Sequence, residues 1–180
     1  GADNDVLYGS YDGDTINDRD LVWARLDLPG TRDLVAVSVH LKASTGLTNE
    51  TRRNTQAQTL VAQLTSAGSP LDADDFLAIG GDFNTSSRGE PCIASLSQVV
   101  TTVGPYPADQ AGDADTNASR QQPYDWVLVS SPLAGFEVPV RYGLTSLPTG
   151  LVFDSRVFTD LADVAPIQAT DCAAVGMQHM

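Results

Sequence analysis

Residues 76–85, Phe-Leu-Ala-Ile-Gly-Gly-Asp-Phe-Asn-Thr, hold the densest chemistry in the chain. Four apolar residues read as a strand buried on both faces. The paired glycines at its end allow a sharp turn or a close backbone approach. Asp82 and Asn84 are two apart, so an extended chain points both the same way at the strand mouth. A carboxylate beside a carboxamide suits a hydrated hard cation or an oriented water. The same four letters are also common in plain turns.

Other polar residues become interesting through the elements that must carry them. Residues 21–28 alternate with Val22, Ala24, Leu26 and Leu28 on one face, and residues 34–41 alternate with Val35, Val37 and Val39 aligned. A Pro-Gly turn lies between, so the pair reads as an antiparallel hairpin. His40 closes its second strand on the face opposite the valines. Residues 51–64 read as a helix with Ala57, Leu60, Val61 and Leu64 at helical spacing and with Arg52, Arg53, Gln56 and Gln63 as polar positions. Strand, helix, strand in that order implies a crossover that brings His40, Asp82 and Asn84 to strand ends of one sheet. Residues 124–130 form another strand opening on Asp125, an acid that needs a cationic or hydrogen-bonding partner once buried. Residues 1–20 read as an acidic loop, 93–100 as a helical turn, 104–123 as a long irregular loop, and 136–142 as a short strand.

Composition sets bounds. The 180 residues are 42% apolar and 7% aromatic, a size and content that support one folded domain over 1–180. Ten basic against 23 acidic residues give a net charge of −13, which repels polyanions unless bound cations invert the local potential. No membrane span is visible. Cys92 and Cys172 fit no zinc spacing; they could close a disulfide in an exported, extracellular or periplasmic protein, or be two buried thiols.

In order, the chain offers His40-Leu41-Lys42, a helical Arg53-x-x-Gln56-Ala57, Gly80-Gly81-Asp82-Phe83-Asn84, Tyr124-Asp125-Trp126 opening a strand, and His179 near the end. This ordered set resembles the endonuclease/exonuclease/phosphatase (DNase I-like) family of metal-dependent phosphodiesterases. The resemblance implies an α/β four-layer sandwich, two packed mixed β-sheets flanked by helices, with Mg2+, Mn2+ or Ca2+ as cofactor. It implies His179 as general base held by Asp125, Asp82 and Asn84 as the pair orienting water, phosphate and metal, and His40 as a hydrogen-bond donor to a phosphoryl oxygen. Arg53 or Arg52 would add a phosphate contact, and Asp82 and Gln178 would ligate the metal. The implied substrate is a phosphodiester, with nucleic acid first and inositol phosphates or sphingolipids second.

Two departures stand out. Gln178 replaces the acid that precedes the family's closing histidine, and nothing before residue 21 supplies the family's Asn-bearing and Glu-bearing strands. The expectation is therefore the C-terminal two-thirds of a longer protein, whose apolar sheet surface calls for an N-terminal segment or a second copy. A degenerate binding module of the same fold is the reading from another class.

Overall fold

The computed structural model describes residues 6–11, 20–159, 161, 164 and 166. They cluster in two compact units, one taking in Gly1–Thr102 and Asp125–Phe136, the other Val103–Tyr124 and Glu137–Met180. The architecture is α/β, with a mixed five-stranded sheet, a second two-stranded sheet and three helices among the described residues.

In the first unit the strands β1 (Val6–Tyr11), β2 (Leu21–Leu26), β3 (Leu34–His40), β4 (Phe76–Asp82) and β5 (Asp125–Val129) lie side by side in that order. The hairpin read from the alternating residues is present, with Val22 opposite Ser38 and Leu26 opposite Leu34. The crossover is present too: β4 runs parallel to β3, pairing Val37 with Ile79 and His40 with Asp82. Between them α1 (Leu47–Leu64) begins four residues earlier than the periodicity indicated. Glu50 in its first turn offsets the exposed N–H groups there, and Gly46 O accepts from both Asn49 N and Glu50 N. The expected loop over residues 1–20 is corrected by β1, which pairs antiparallel with β2. Its Gly, Ser and two Tyr residues carry little apolar alternation, so pairing with β2 rather than local pattern makes it a strand.

One face of the sheet is buried through Val35, Val37, Val39, Leu77, Ile79, Trp126 and Leu128. The buried side of α1 (Ala57, Leu60, Val61, Leu64) and of α2 (Pro91–Leu96: Cys92, Ile93, Leu96) completes this core. The opposite face carries Val22, Ala24, Ala36, Ala78 and Val127, of which Val22 and Val127 are exposed. β4 is thus buried on one face rather than both, because only Leu77 and Ile79 point into the core. Helix α3 (Ser131–Ala134) is a single turn after β5.

In the second unit β6 (Val140–Tyr142) and β7 (Thr145–Leu147) form a hairpin, so the strand expected over 136–142 is shorter and starts later. Residues 104–123 are largely irregular, as their composition indicates, and are tied by Arg120 to Asp109 at 2.9 Å. Ala108 bridges Leu151, and Phe158 stacks edge-on against Tyr142. Among the described residues no helix is long and apolar enough to cross a membrane.

Candidate functional site

Register alone assembles the site. His40 ends β3, Asp82 ends β4, and the two are partners in the parallel ladder. Asp125 opens β5 and is the antiparallel partner of Asp82. Partners across a sheet share a face, so an imidazole and two carboxylates form one row across three strands, on the face away from the helices. Because β5 runs opposite to β3 and β4, its first residue meets their last residues at the same rim. Beyond the carboxyl ends of parallel strands is where open α/β sheets place their ligands.

The row is polar and half open. His40 Nε2 lies 3.3 Å from Asp82 Oδ2, with side chains 40% and 15% exposed. Asp82 Oδ1 accepts the backbone N–H of Asn84 at 2.8 Å, a turn closed by the aspartate's own side chain. That turn holds Asn84 at φ 53°, a left-handed conformation that asparagine tolerates better than most residues. Asn84 Nδ2 then donates to Leu41 O at 3.2 Å, and Leu41 N donates to Asp82 O at 2.9 Å. The ends of β3 and β4 are therefore sewn together around the candidate residues.

Gly81 makes the approach possible. It sits at φ 136°, and a Cβ there would lie 2.1 Å from Val39 O. Only glycine fits, which is the physical content of the paired glycines. Behind the row, Phe83 is fully buried against Trp126, whose indole N–H donates to the buried Thr85 hydroxyl at 2.9 Å.

The structure thus brings together His40, Asp82, Asn84 and Asp125. His179 and Gln178 lie outside the described residues, as does Cys172. Arg53, read as a phosphate contact, is corrected: its side chain is fully buried and makes two 2.8 Å bonds to Glu90. The helical stripe explains why. Counting back from Ala57, Leu60 and Leu64 by four and seven lands on Arg53, and Gln56 also lies on the buried side. That spacing was the available signal, and both residues read as polar surface only because of their type. Glu90, the partner, gave no signal of its own.

Cys92 is a free, buried thiol, and Cys172, its candidate disulfide partner, lies outside the described residues. Its Sγ faces Glu90 Oε2 at 3.9 Å. Burial, with Glu90 nearby, pushes the thiol up to about 12.

A Mg2+ ion needs near-octahedral oxygen ligation, commonly one or two carboxylates with waters. Here Asp82 has Oδ1 engaged by Asn84 N and Oδ2 facing His40. Among the described residues no three His, Cys, Asp or Glu side chains converge on one point. Asp82, with Asp125 as its ladder partner, is the carboxylate at this rim that a hydrated cation would meet.

No protein-family model matches the sequence, and no curated protein matches it. Solved structures do resemble it in fold. A functionally unknown conserved protein from Enterococcus faecalis is 12% identical with a TM-score of 0.50, over 70% of this chain and 53% of that one. Beta toxin from Staphylococcus aureus, in a crystal structure with bound magnesium ions, is 13% identical with a TM-score of 0.47, over 62% and 42%. Sphingomyelinase C from Streptomyces griseocarneus is 15% identical with a TM-score of 0.43, over 63% and 43%. The chain thus spans about half or less of the length of these proteins. At these identities the likeness is one of fold alone, an α/β architecture shared with the Enterococcus faecalis protein.

Proposed function

We propose that the row of His40, Asp82 and Asp125, with Asn84 beside it, is a phosphate-ester hydrolysis site. The observation that supports this reading best is the in-register meeting of three polar strand ends at one rim. Hydrolysis of such an ester needs an oriented water, a base and donors to the phosphoryl oxygens. His40 faces Asp82 through Nε2, so the carboxylate holds the ring there and Nδ1 is the nitrogen that donates to a phosphoryl oxygen when it carries a proton. Asp82 and Asn84, fixed by their own turn, orient the water. The base is assigned to His179, with Asp125 as its partner, and rests on the motif resemblance alone. A bound divalent cation would neutralise charge on the phosphoryl oxygens, and Asp82 and Gln178 are the residues the motif resemblance gives it. The substrate class proposed is a phosphodiester, and export of the protein is part of the same reading.

The test is hydrolysis of bis(4-nitrophenyl) phosphate by the chain with added Mg2+, Mn2+ or Ca2+. His40→Ala, Asp82→Ala and His179→Ala lower turnover about 100-fold or more, the scale of a lost acid, base or donor. Arg88→Ala leaves it unchanged. Absence of turnover with all three cations when the N-terminal segment expected from the resemblance is also present, or equal loss in Arg88→Ala, removes the proposal. The second reading, a non-catalytic binding module, is motivated by Gln178 in place of the family's closing acid and by the lack of a counterpart to its metal-binding Glu. Binding of the same ester without its hydrolysis would select it.

A further inference from the structure

The backbone just past His40 and just past Asn84 is gripped from inside the core. Gln56 Oε1 accepts the N–H of Lys42 at 2.9 Å. One turn earlier on α1, Arg53 Nη1 donates to Lys42 O and to Ser44 O, each at 2.9 Å. The other edge of the same guanidinium, Nε and Nη2, spans both oxygens of Glu90 at 2.8 Å. Glu90 Oε1 in turn accepts the N–H of Ser86 at 2.6 Å. A continuous chain of bonds therefore runs from the loop after β3, through the helix, to the loop after β4. Arg53, Gln56 and Glu90 are 0%, 1% and 4% exposed, so water does not compete for these bonds.

Stability alone is a poor reason for such a group. A buried ion pair commonly does no better than well-packed apolar side chains of equal volume. An apolar pair, however, could not hold two carbonyls and an amide belonging to separate loops. Ser44 sits at φ 79°, a conformation a serine keeps only when its surroundings fix it. The planar fork of arginine is the side chain suited to span a carboxylate on one edge and carbonyls on another.

We infer that Arg53 and Glu90, with Gln56, are positioning residues that set where His40 stands relative to Asp82 and Asn84. The inference rests on the proposed hydrolytic site but has a readout that does not. Arg53→Lys keeps the charge and loses the fork. Glu90→Gln keeps the acceptor for Ser86 and loses the charge. In both, the ring resonances of His40 (assigned by their loss in His40→Gln) move, although neither residue touches that ring. In both, kcat falls about 10- to 100-fold while KM changes less than about threefold. If Arg53→Lys does not fold, Glu90→Gln decides. A lowered thermal midpoint with unmoved His40 resonances overturns the inference, even where the unmodified chain hydrolyses the ester. Moved resonances in a chain that never hydrolyses it support the positioning role and remove the hydrolytic reading instead.

Discussion

A methyl group on Gly81 would sit 2.1 Å from Val39 O, inside any allowed contact, and the residue's φ of 136° is closed to side chains as well. Gly81→Ala should therefore destabilise the protein by about 3 kcal/mol or more, measured by chemical denaturation. Gly80 lacks that constraint, since its Cβ would meet only ordinary contacts from 3.4 Å outward. The same comparison says what a single residue can disclose in sequence. Two adjacent glycines marked the place, but which one carries the close approach depends on the neighbouring strand. His40 and Asp82 were legible because each closes an alternating or apolar run. Arg53 was misread because residue type suggested solvent while its spacing suggested the core.

At the level of elements, α1 shows why the reading divided as it did. Its lower turns, Ala57 to Leu64, announce themselves through apolar periodicity. The upper turns use the same face with polar side chains, so the apolar pattern stops where the helix continues. The hairpin and the crossover were legible because burial on one side forces alternation, and alternation fixes register. Strand β1 was not, since its pairing with β2 is imposed from outside the segment. Nor could the first-unit sequence show that Asp125 pairs with Asp82, because 42 intervening residues carry no signal of antiparallel return.

On the scale of the whole molecule, the two units hold their polar cores differently. In the second unit Asp154 is 1% exposed and is clasped by Arg156, through Nε at 2.9 Å and Nη2 at 2.8 Å, and by that residue's backbone N–H. The Arg156 side-chain bonds, opposed in part by burial, hold the Asp154 carboxyl below the usual carboxylate range. A depressed folded pKa gives stability that is fully present above the unfolded value and is lost as pH falls through the folded one. The stability difference between the unmodified chain and Asp154→Asn should be constant above about pH 5 and close below about pH 4 in denaturant titrations. A difference that instead grows in acid would contradict the assignment. The net charge of −13 repels polyanions at long range.

At the rim of the sheet away from His40, Arg25 reaches Asp33 at 2.8 Å, Asp72 at 2.7 Å and Asp75 at 3.0 Å, and Phe76 N donates to Asp33 O. The five-stranded sheet is thus fastened at its two margins by unrelated ionic groups, Arg53 at one and Arg25 at the other. Fold stability and the geometry of the His40 rim become separately adjustable. Arg25→Met takes the cation from the nearly buried Asp75, which keeps the backbone N–H groups of Asp33 and Asp72, and should lower the unfolding free energy by about 1–3 kcal/mol in denaturant titrations while leaving any ester hydrolysis unchanged. An engineer wanting a tougher or a frailer variant has one margin to work on, and the row proposed for hydrolysis stands at the other.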